Sequence, residues 1–193
     1  MKEEKDKKQK IIHIILELCI YIGIICAVTY LVPKYVLERT EVSGCSMEDT
    51  LHSKEQICIN KLAYKISAPK RFDIIVFYHF FDWEYQNSSD PDAYDYYVNR
   101  VIGLPGETVQ IVEGQIYIDG EVLEETYGKN PTRYSGLASE PFTLDEGEYF
   151  VLGDNRESSQ DSRYSVVGNV QRKHIVGKVC FRIWPFHKIG VLK

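Results

Sequence analysis

The feature that most constrains this chain is a run of 22 mostly apolar residues, Ile11–Val32, which reads IIHIILELCIYIGIICAVTYLV. At ~1.5 Å of rise per residue, a helix of that length crosses the ~30 Å hydrocarbon layer of a membrane. A cleavable signal peptide has a shorter apolar core followed by a small-x-small site, and the end of this run, AVTYLVPK, offers no convincing one. The sequence therefore predicts a retained transmembrane anchor over residues 11–32.

The charges that flank the anchor predict its orientation. The first ten residues, MKEEKDKKQK, contain five lysines and three acids, whereas the far flank has Lys34 and Arg39. Lysine and arginine are enriched on the cytoplasmic side of membrane spans. Residues 1–10 are therefore predicted to form a cytoplasmic tail, and residues 33–193 an extracytoplasmic domain of a single-pass protein in the cell membrane.

Two polar residues interrupt the anchor. His13 and Glu17 lie four residues apart, and so on one face of a helix. They could form a helix–helix contact or a proton site, but both are near the cytoplasmic end. We favour the interpretation that they reach the headgroups.

Composition leaves room for one folded domain beside the anchor and excludes some functions. The chain has 193 residues, 44% of them apolar, and a formal net charge of −5. With a negative net charge and no block of like charges suited to holding phosphates, nucleic acid is not an expected partner. The five cysteines are odd in number and lack the spacing of a metal site, so neither a bound metal nor a disulfide framework is expected.

Beyond the anchor, short alternating segments replace the solid apolar run. Gln56–Asn60 alternates polar and apolar residues as a half-buried strand does. Glu113–Gly114 and Asp119–Gly120 are typical of hairpin turns. Further strands are predicted at Asp73–Tyr78, Tyr97–Ile102, Thr108–Val112, Gln115–Ile118, Glu121–Leu123, Tyr149–Leu152 and Ile175–Ile183. Since no stretch after residue 40 keeps a helical period for three turns, the sequence predicts a mainly β fold, an antiparallel and barrel-like domain after one transmembrane helix.

Three segments carry residues suited to chemistry. Val42–Leu51 (VSGCSMEDTL) places Ser46 close to the anchor, with Gly44 nearby to let the backbone approach a substrate carbonyl. A serine hydroxyl attacks a carbonyl only when a neighbour accepts its proton and donors hold the oxyanion. Tyr97–Val109 (YVNRVIGLPGETV) leads from a strand into a glycine-proline turn, and Gly153–Arg163 (GDNRESSQDSR) packs polar residues after an apolar strand. Each segment alone is weak evidence, since a linker turn or a solvated loop has the same composition.

Together and in this order, the three segments resemble the sequence boxes of type I signal peptidases, in particular the Gram-positive-like bacterial enzymes that use a serine–lysine dyad. The resemblance extends from the anchor to Lys193 and includes PKRFDIIVF from Pro69 and GKVCFRIWPF near the end. It implies a serine endopeptidase that removes signal peptides from exported precursors after small residues, beside membrane lipid and without metal or cofactor. The catalytic face is then expected against the membrane.

The resemblance also implies roles for individual residues. Ser46 matches the nucleophile, and its own N–H, close to Gly44, matches part of the oxyanion hole. Ser159 matches a serine that orients the catalytic lysine. The residues that match those holding the third box together by charged hydrogen bonds are Asp154, Asp161 and Arg163.

The chain departs from the family at the general base. The family has lysine before the arginine of K-R-[IV]-[IV]-G-L-P-G, and this chain has Asn99 before Arg100. Burial lowers the pKa of such a lysine, so that its neutral amine accepts the serine proton, whereas an amide cannot take up that proton near pH 7. Since general-base catalysis contributes about 10²–10⁴-fold, at best trace activity is expected. Groups considered as substitutes are Lys61, Lys65 and His52 for the base, and Cys45 for the nucleophile.

The segment Phe80–Tyr96 contains acids interleaved with aromatic residues and no lysine or arginine. Its Asp90, Asp92 and Asp95 could form a cation site, and its aromatic residues could contact the membrane surface. We favour a solvated loop.

Two functions from different classes fit the sequence. The first is the signal peptidase itself. The second is a non-catalytic relative that keeps the peptide groove and acts as a chaperone or assembly factor for an exported, pilus-like protein, with the peptide added as a β-strand. A receptor that merely shares the fold would leave the GDNR…DSR box unexplained.

Overall fold

The computed structural model describes residues 2–79, 95–128 and 130–192. Its first element is helix α1, Lys2–Tyr35. Among the described residues, one helical segment is long and apolar enough to cross a membrane, the part of α1 from Lys10 to Tyr35. The mean hydropathy of its most apolar 18 residues is 2.6, and none of these residues is buried against the rest of the chain. Side chains such as Ile11, Ile14 and Leu16 are more than half exposed, and a helix that is apolar on every side needs an apolar environment around it.

Short strands make up the rest of the described chain. They are β1 Leu37–Glu41, β2 Gln56–Asn60, β3 Ile74–His79, β4 Asp95–Gly103, β5 Thr108–Val112, β6 Gln115–Ile118, β7 Glu121–Val122, β8 Phe142–Thr143, β9 Glu148–Leu152, β10 Val170–Gln171, β11 Ile175–Trp184 and β12 Gly190–Val191. Helix α2, Ala63–Ile66, is a single turn. The 3-10 turns are Gly136–Ser139, Arg172–His174 and Phe186–Lys188.

The described strands form two sheets, and within each sheet all neighbouring strands are antiparallel. The larger sheet has the order β1-β2-β11-β3-β4-β9-β10, with β12 added to β11, and the smaller has the order β7-β6-β5-β8. The prediction of a mainly antiparallel β domain after one apolar helix is confirmed. Strand β1 lies at an edge of the larger sheet and pairs on one side with β2.

The core consists of three apolar clusters beside these sheets. One contains Phe77 and Val151, and a second contains Ile102 and Phe150. The third contains Met47 and Leu51 together with side chains of β2 such as Ile57. Strands β4 and β9 contribute to both of the first two clusters. These two strands are therefore fixed by packing, and the segments at their ends inherit that rigidity.

Some boundaries differ from the predicted ones. Strand β4 begins at Asp95, two residues before its predicted start, and so includes the last residues of the segment read as a loop. Residues 80–94 lie outside the described part of the chain, so the cation-site and membrane-contact hypotheses for them stay predictions. Helix α1 ends at Tyr35, beyond the predicted anchor, and includes Pro33. The predicted limits of the tail, anchor and outer domain stay predictions.

Candidate active site

The Ser46 segment leaves β1 and crosses the end of the larger sheet. Gly44 has a φ of 93°, in the left-handed region that glycine enters without a steric penalty. Met47 and Leu51 are buried and pin the segment to the core, while Ser46 between Cys45 and Met47 stays partly exposed. Within the described residues, neither the hydroxyl nor the N–H of Ser46 makes a hydrogen bond. Both groups therefore remain available to a ligand.

The box that follows β9 holds the Ser46 backbone in place. The Asn155 N–H donates to the Ser46 carbonyl oxygen over 2.9 Å, and Asn155 Nδ2 donates to the Cys45 carbonyl oxygen over 3.1 Å. Position 153 has no room for a side chain, because a Cβ there would overlap the Ser46 carbonyl oxygen and Ser159 Oγ. Glycine is required here for this close approach rather than for an unusual dihedral angle.

Strand pairing brings Asn99 to the same place. Asn99 lies opposite Ile75 of β3, and on the other side Arg100 of β4 pairs with Leu152 of β9. Continuing that register by one residue puts Asn99 opposite Gly153, and cross-strand neighbours share a face of the sheet. Asn99, Ser159 and the Ser46 backbone therefore adjoin one another around Gly153.

Two buried polar atoms at this junction are unsatisfied. Asn99 is fully buried and Ser159 is 4% exposed. Asn99 Nδ2 donates to the Gln160 carbonyl oxygen over 3.5 Å, but Asn99 Oδ1 and Ser159 Oγ have no hydrogen-bond partner among the described residues. An unpaired buried polar group costs about 1–3 kcal/mol.

A groove of about 670 Å³ opens in front of Ser46. Its apolar floor includes Val76, Val98 and Val176, and Ser46 lies on its wall. The ionisable residues that line it are Glu38, Glu41, Cys45, Tyr96 and Tyr97. No lysine, arginine or histidine of the described chain lines the groove, and residues 80–94 contain none in their sequence.

The groups considered as substitute bases are placed elsewhere. The Lys61 ammonium pairs with Glu38 over 2.5 Å and donates to the Lys34 carbonyl oxygen over 3.4 Å, near the end of α1. Lys65 and His52 are exposed, and neither lines the groove. Cys45 lines it but is an exposed thiol on the turn beside Ser46.

Behind the groove, a buried ion pair joins β4 to the third box. Arg100 donates to Asp154 through Nε over 2.8 Å and through Nη2 over 2.6 Å. Both side chains are almost completely buried, and Thr50 Oγ1 donates to the same carboxylate over 2.5 Å. The Tyr127 ring covers the guanidinium at 3.5 Å. Bidentate geometry and these added contacts are what a buried ion pair needs to offset desolvation.

A second ion pair lies within the box. Arg163 donates to Asp161 through Nε over 2.7 Å and through Nη2 over 2.8 Å. The other side of the carboxylate accepts the Gly153 N–H over 3.1 Å. Asp161 therefore fixes the glycine against which Ser46 packs.

Sequence reasoning missed two supporting residues. It named Arg100 only as the residue that follows Asn99, and it assigned no role to Asn155. An arginine inside an apolar strand is a usable signal, because a buried guanidinium requires a carboxylate. Nothing local predicts that Asn155 contacts a carbonyl 110 positions away.

An exposed serine hydroxyl in a peptide-sized groove, on a β domain that follows an apolar helix, is the arrangement of a membrane-associated serine hydrolase. Comparison with known proteins specifies the family. The family described as "Signal peptidase, peptidase S26" matches residues 15–184. Signal peptidase I of Leptolyngbya laminosa is 37% identical over 158 residues, which cover 82% of this chain and 74% of that protein. Signal peptidase I of Bacillus amyloliquefaciens is 34% identical over 201 residues, with 100% of each chain covered.

A crystal structure of a signal peptidase I from Enterococcus faecalis V583 is also similar, with 35% identity, 58% of this chain and 97% of that chain covered, and a TM-score of 0.44. The chain belongs to the signal peptidase (peptidase S26) family.

Proposed function

We propose that this protein is a membrane signal peptidase that binds the signal peptides of exported precursors and attacks them, after small residues, with Ser46. The observation that carries this proposal is the position of the Ser46 hydroxyl and N–H, both without a partner among the described residues, on the wall of the groove. Membership in the family supplies the substrate class.

The edge strand β1 gives the peptide a place to bind. Glu38, Thr40 and Glu41 of β1 line the groove, and β1 pairs only with β2 within the described sheet. An extended peptide can add to such an edge through main-chain hydrogen bonds. A peptide bound there presents its carbonyl groups toward the wall that carries Ser46.

The chemical step then depends on one proton. Ser46 Oγ attacks the scissile carbonyl, its proton passes to a base or, where there is none, to solvent water, and the carbonyl oxygen becomes an oxyanion that the Ser46 N–H stabilises. When the carbonyl re-forms, the C–N bond breaks, the departing amine takes up a proton, and water then hydrolyses the ester left on Ser46. Asn99 occupies the position of the family's base and cannot accept the proton. With no amine or imidazole of the described chain lining the groove, we expect cleavage to be slower than with a lysine by about 10²–10⁴-fold.

The orientation follows from the anchor. With the lysine-rich tail in the cytoplasm, α1 delivers the domain to the outer surface, and β1 begins at Leu37, two residues after α1 ends. The groove rim formed by β1 is thus close to the membrane surface, where a precursor emerges with its signal peptide still inserted.

The test compares the unaltered full chain with three variants, in lipid vesicles with a membrane-inserted precursor. The unaltered chain is expected to cleave slowly, Ser46→Ala not at all, and Asn99→Lys faster than the unaltered chain by about 10²–10⁴-fold. Asn99→Met is the matched control, since its side chain has nearly the length of lysine but no amine, and it should give no gain. An Asn99→Lys variant that cleaves no faster than Asn99→Met would contradict the proposed role of position 99.

Asn99 also supports a second candidate, the non-catalytic relative that binds peptides without cutting them. It predicts precursor binding by the unaltered chain with no Ser46-dependent cleavage. Cleavage by the unaltered chain that is lost in Ser46→Ala excludes it.

A further inference from the structure

Two of the five cysteines meet across neighbouring strands of the larger sheet, away from the groove. Cys58 lies in the middle of β2 and Cys180 in β11. The Cys180 thiol donates to the Cys58 carbonyl oxygen over 3.3 Å. They are 122 positions apart in the sequence, so the fold alone brings them together.

Strand pairing places the two cysteines next to each other, beside a β-bulge. Val179 pairs with Ile59 and Phe181 pairs with Cys58, and the register shifts between them. Cys180 is therefore the extra residue of a β-bulge, and such a bulge sets two residues of one strand against one of its partner. Counted from the Val179–Ile59 pair, the next residues of the two strands are Cys180 and Cys58, so the two cysteines are neighbours across the strands.

The pair is on the side of β2 that faces away from the core, and solvent reaches it. Ile57 and Ile59 are buried, whereas Cys58 and Cys180 are only partly so. Cys180 also lines an open surface pocket of about 370 Å³ together with Arg71 and Lys178. A small disulfide compound can therefore approach the Cys180 sulfur.

We propose that Cys58 and Cys180 are a reversible modification site, at which a disulfide oxidant links β2 to β11 through a Cys58–Cys180 disulfide bond. One cysteine thiolate attacks the oxidant's disulfide, which gives a mixed disulfide and releases one oxidant thiol. The second cysteine thiolate attacks the protein sulfur of that mixed disulfide and releases the other oxidant thiol. The two cysteines together lose two protons and two electrons, and the oxidant is reduced to two thiols.

The surroundings of the pair predict how it reacts. Burial, and then the neighbouring Cys180 thiol, raise the pKa of the Cys58 thiol. Because the thiolate is the reacting species, oxidation should be faster at pH 9 than at pH 7. The chemistry is independent of the catalytic proposal, but the proposed outer location of the domain would place it where disulfides persist.

The bond would act on the sheet that carries the groove. Ile59 of β2 and Val176 of β11 both line the groove. Cross-linking residues 122 positions apart removes conformations from the unfolded chain, and long loops give the larger effects. The oxidised protein should thus be more stable, with its groove strands held together.

The experiment treats the full chain in detergent with oxidised glutathione, alkylates the remaining thiols after denaturation, and maps the peptides by mass spectrometry. A linked Cys58–Cys180 peptide pair is expected, with Cys45 still alkylated or carrying only glutathione. The melting temperature should rise by roughly 5 °C or more, and dithiothreitol should reverse both changes. Cys180→Ser should abolish the link and the shift, and Cys45→Ser should leave both intact.

The measurement on the unaltered chain decides the proposal even if a variant folds poorly. Full alkylation of both Cys58 and Cys180 after oxidation, a glutathione adduct on one of them without a link, or a link of either to Cys45 would each overturn it. Loss of cleavage activity has no bearing on it, so the two proposals fail separately.

Discussion

At the scale of single residues, the junction of Asn99, Ser159 and the Ser46 backbone is unusual because it is fully buried yet incompletely hydrogen-bonded. Asn99 Oδ1 and Ser159 Oγ are both unsatisfied within the described residues, although two such neighbours could share one donor. A lysine amine at position 99 carries such donors on a longer stem. We therefore expect a lysine at position 99 to satisfy both oxygen atoms as well as to supply a base.

The buried ion pair behind the groove provides a prediction at this scale. Asp154→Asn removes the carboxylate charge to which the buried Arg100 guanidinium donates two hydrogen bonds, and the Asp154 and Arg100 side chains are 1% and 0% exposed. Breaking such a pair from one side costs about 3–5 kcal/mol of unfolding free energy. Urea denaturation of the full chain in detergent measures this loss of unfolding free energy.

The matched control for this variant is Glu157→Gln. Glu157 is paired with Arg133 over 3.7 Å, and the two side chains are 47% and 79% exposed. Exposed pairs contribute about 0–1 kcal/mol. If the two variants lost equal amounts of unfolding free energy, burial would not be the reason why the Arg100–Asp154 pair stabilises the fold.

At the scale of elements, the sequence predicted the strands in which polar and apolar side chains alternate, and it missed a strand that is held mainly by backbone hydrogen bonds. The predicted limits of Gln56–Asn60, Thr108–Val112 and Gln115–Ile118 are those of β2, β5 and β6. Strand β1, LERTE, was not predicted, because it is largely charged and exposed and is held by backbone pairing with β2. Helix α2 has one turn, too short for any periodic pattern to appear.

Helix α2 itself carries the second prediction. Its buried Tyr64 donates from its hydroxyl to Asp73 Oδ2 over 2.9 Å, which ties the turn to the start of β3. Tyr64→Phe removes one hydrogen bond and leaves that carboxylate with other donors, so about 0.5–1.5 kcal/mol of unfolding free energy should be lost at pH 7.

The same residue predicts a dependence on pH. Burial, and then the neighbouring Asp73 carboxylate, raise the pKa of Tyr64. The folded state therefore keeps this proton above about pH 10, where an unfolded tyrosine releases it, so stability is lost as the pH rises past that value. Between pH 9 and pH 11 the unaltered chain should lose more stability than Tyr64→Phe, and parallel curves for the two would contradict this origin.

At the scale of the whole molecule, the candidate site is built from segments that are far apart in the chain. The turn after β1 carries Ser46, β4 carries Asn99, and the box after β9 closes the site around Gly153. Motif spacing identified all three segments, but it could not supply the register that sets Asn99 opposite Gly153 or the hydrogen bond from Asn155 to the Cys45 carbonyl oxygen. The register follows from the sheet order, in which β9 pairs with β4 although about 45 residues separate the two strands in the sequence.

The proposed orientation of the molecule leads to the last prediction. If α1 crosses the membrane with its lysine-rich end in the cytoplasm, Cys45, which is exposed beside the groove, faces the outside. In cells expressing the chain with Cys58→Ser and Cys180→Ser, which removes the two other partly exposed thiols of the domain, a membrane-impermeant maleimide should label Cys45 without permeabilisation, and adding Cys45→Ser should remove that label. A Lys5→Cys substitution in the tail, made in the Cys45→Ser background, should be labelled only after the membrane is opened. The reverse pattern would place the groove in the cytoplasm, where it could not meet a precursor after export, and labelling of both positions in intact cells would mean that α1 does not cross the membrane at all.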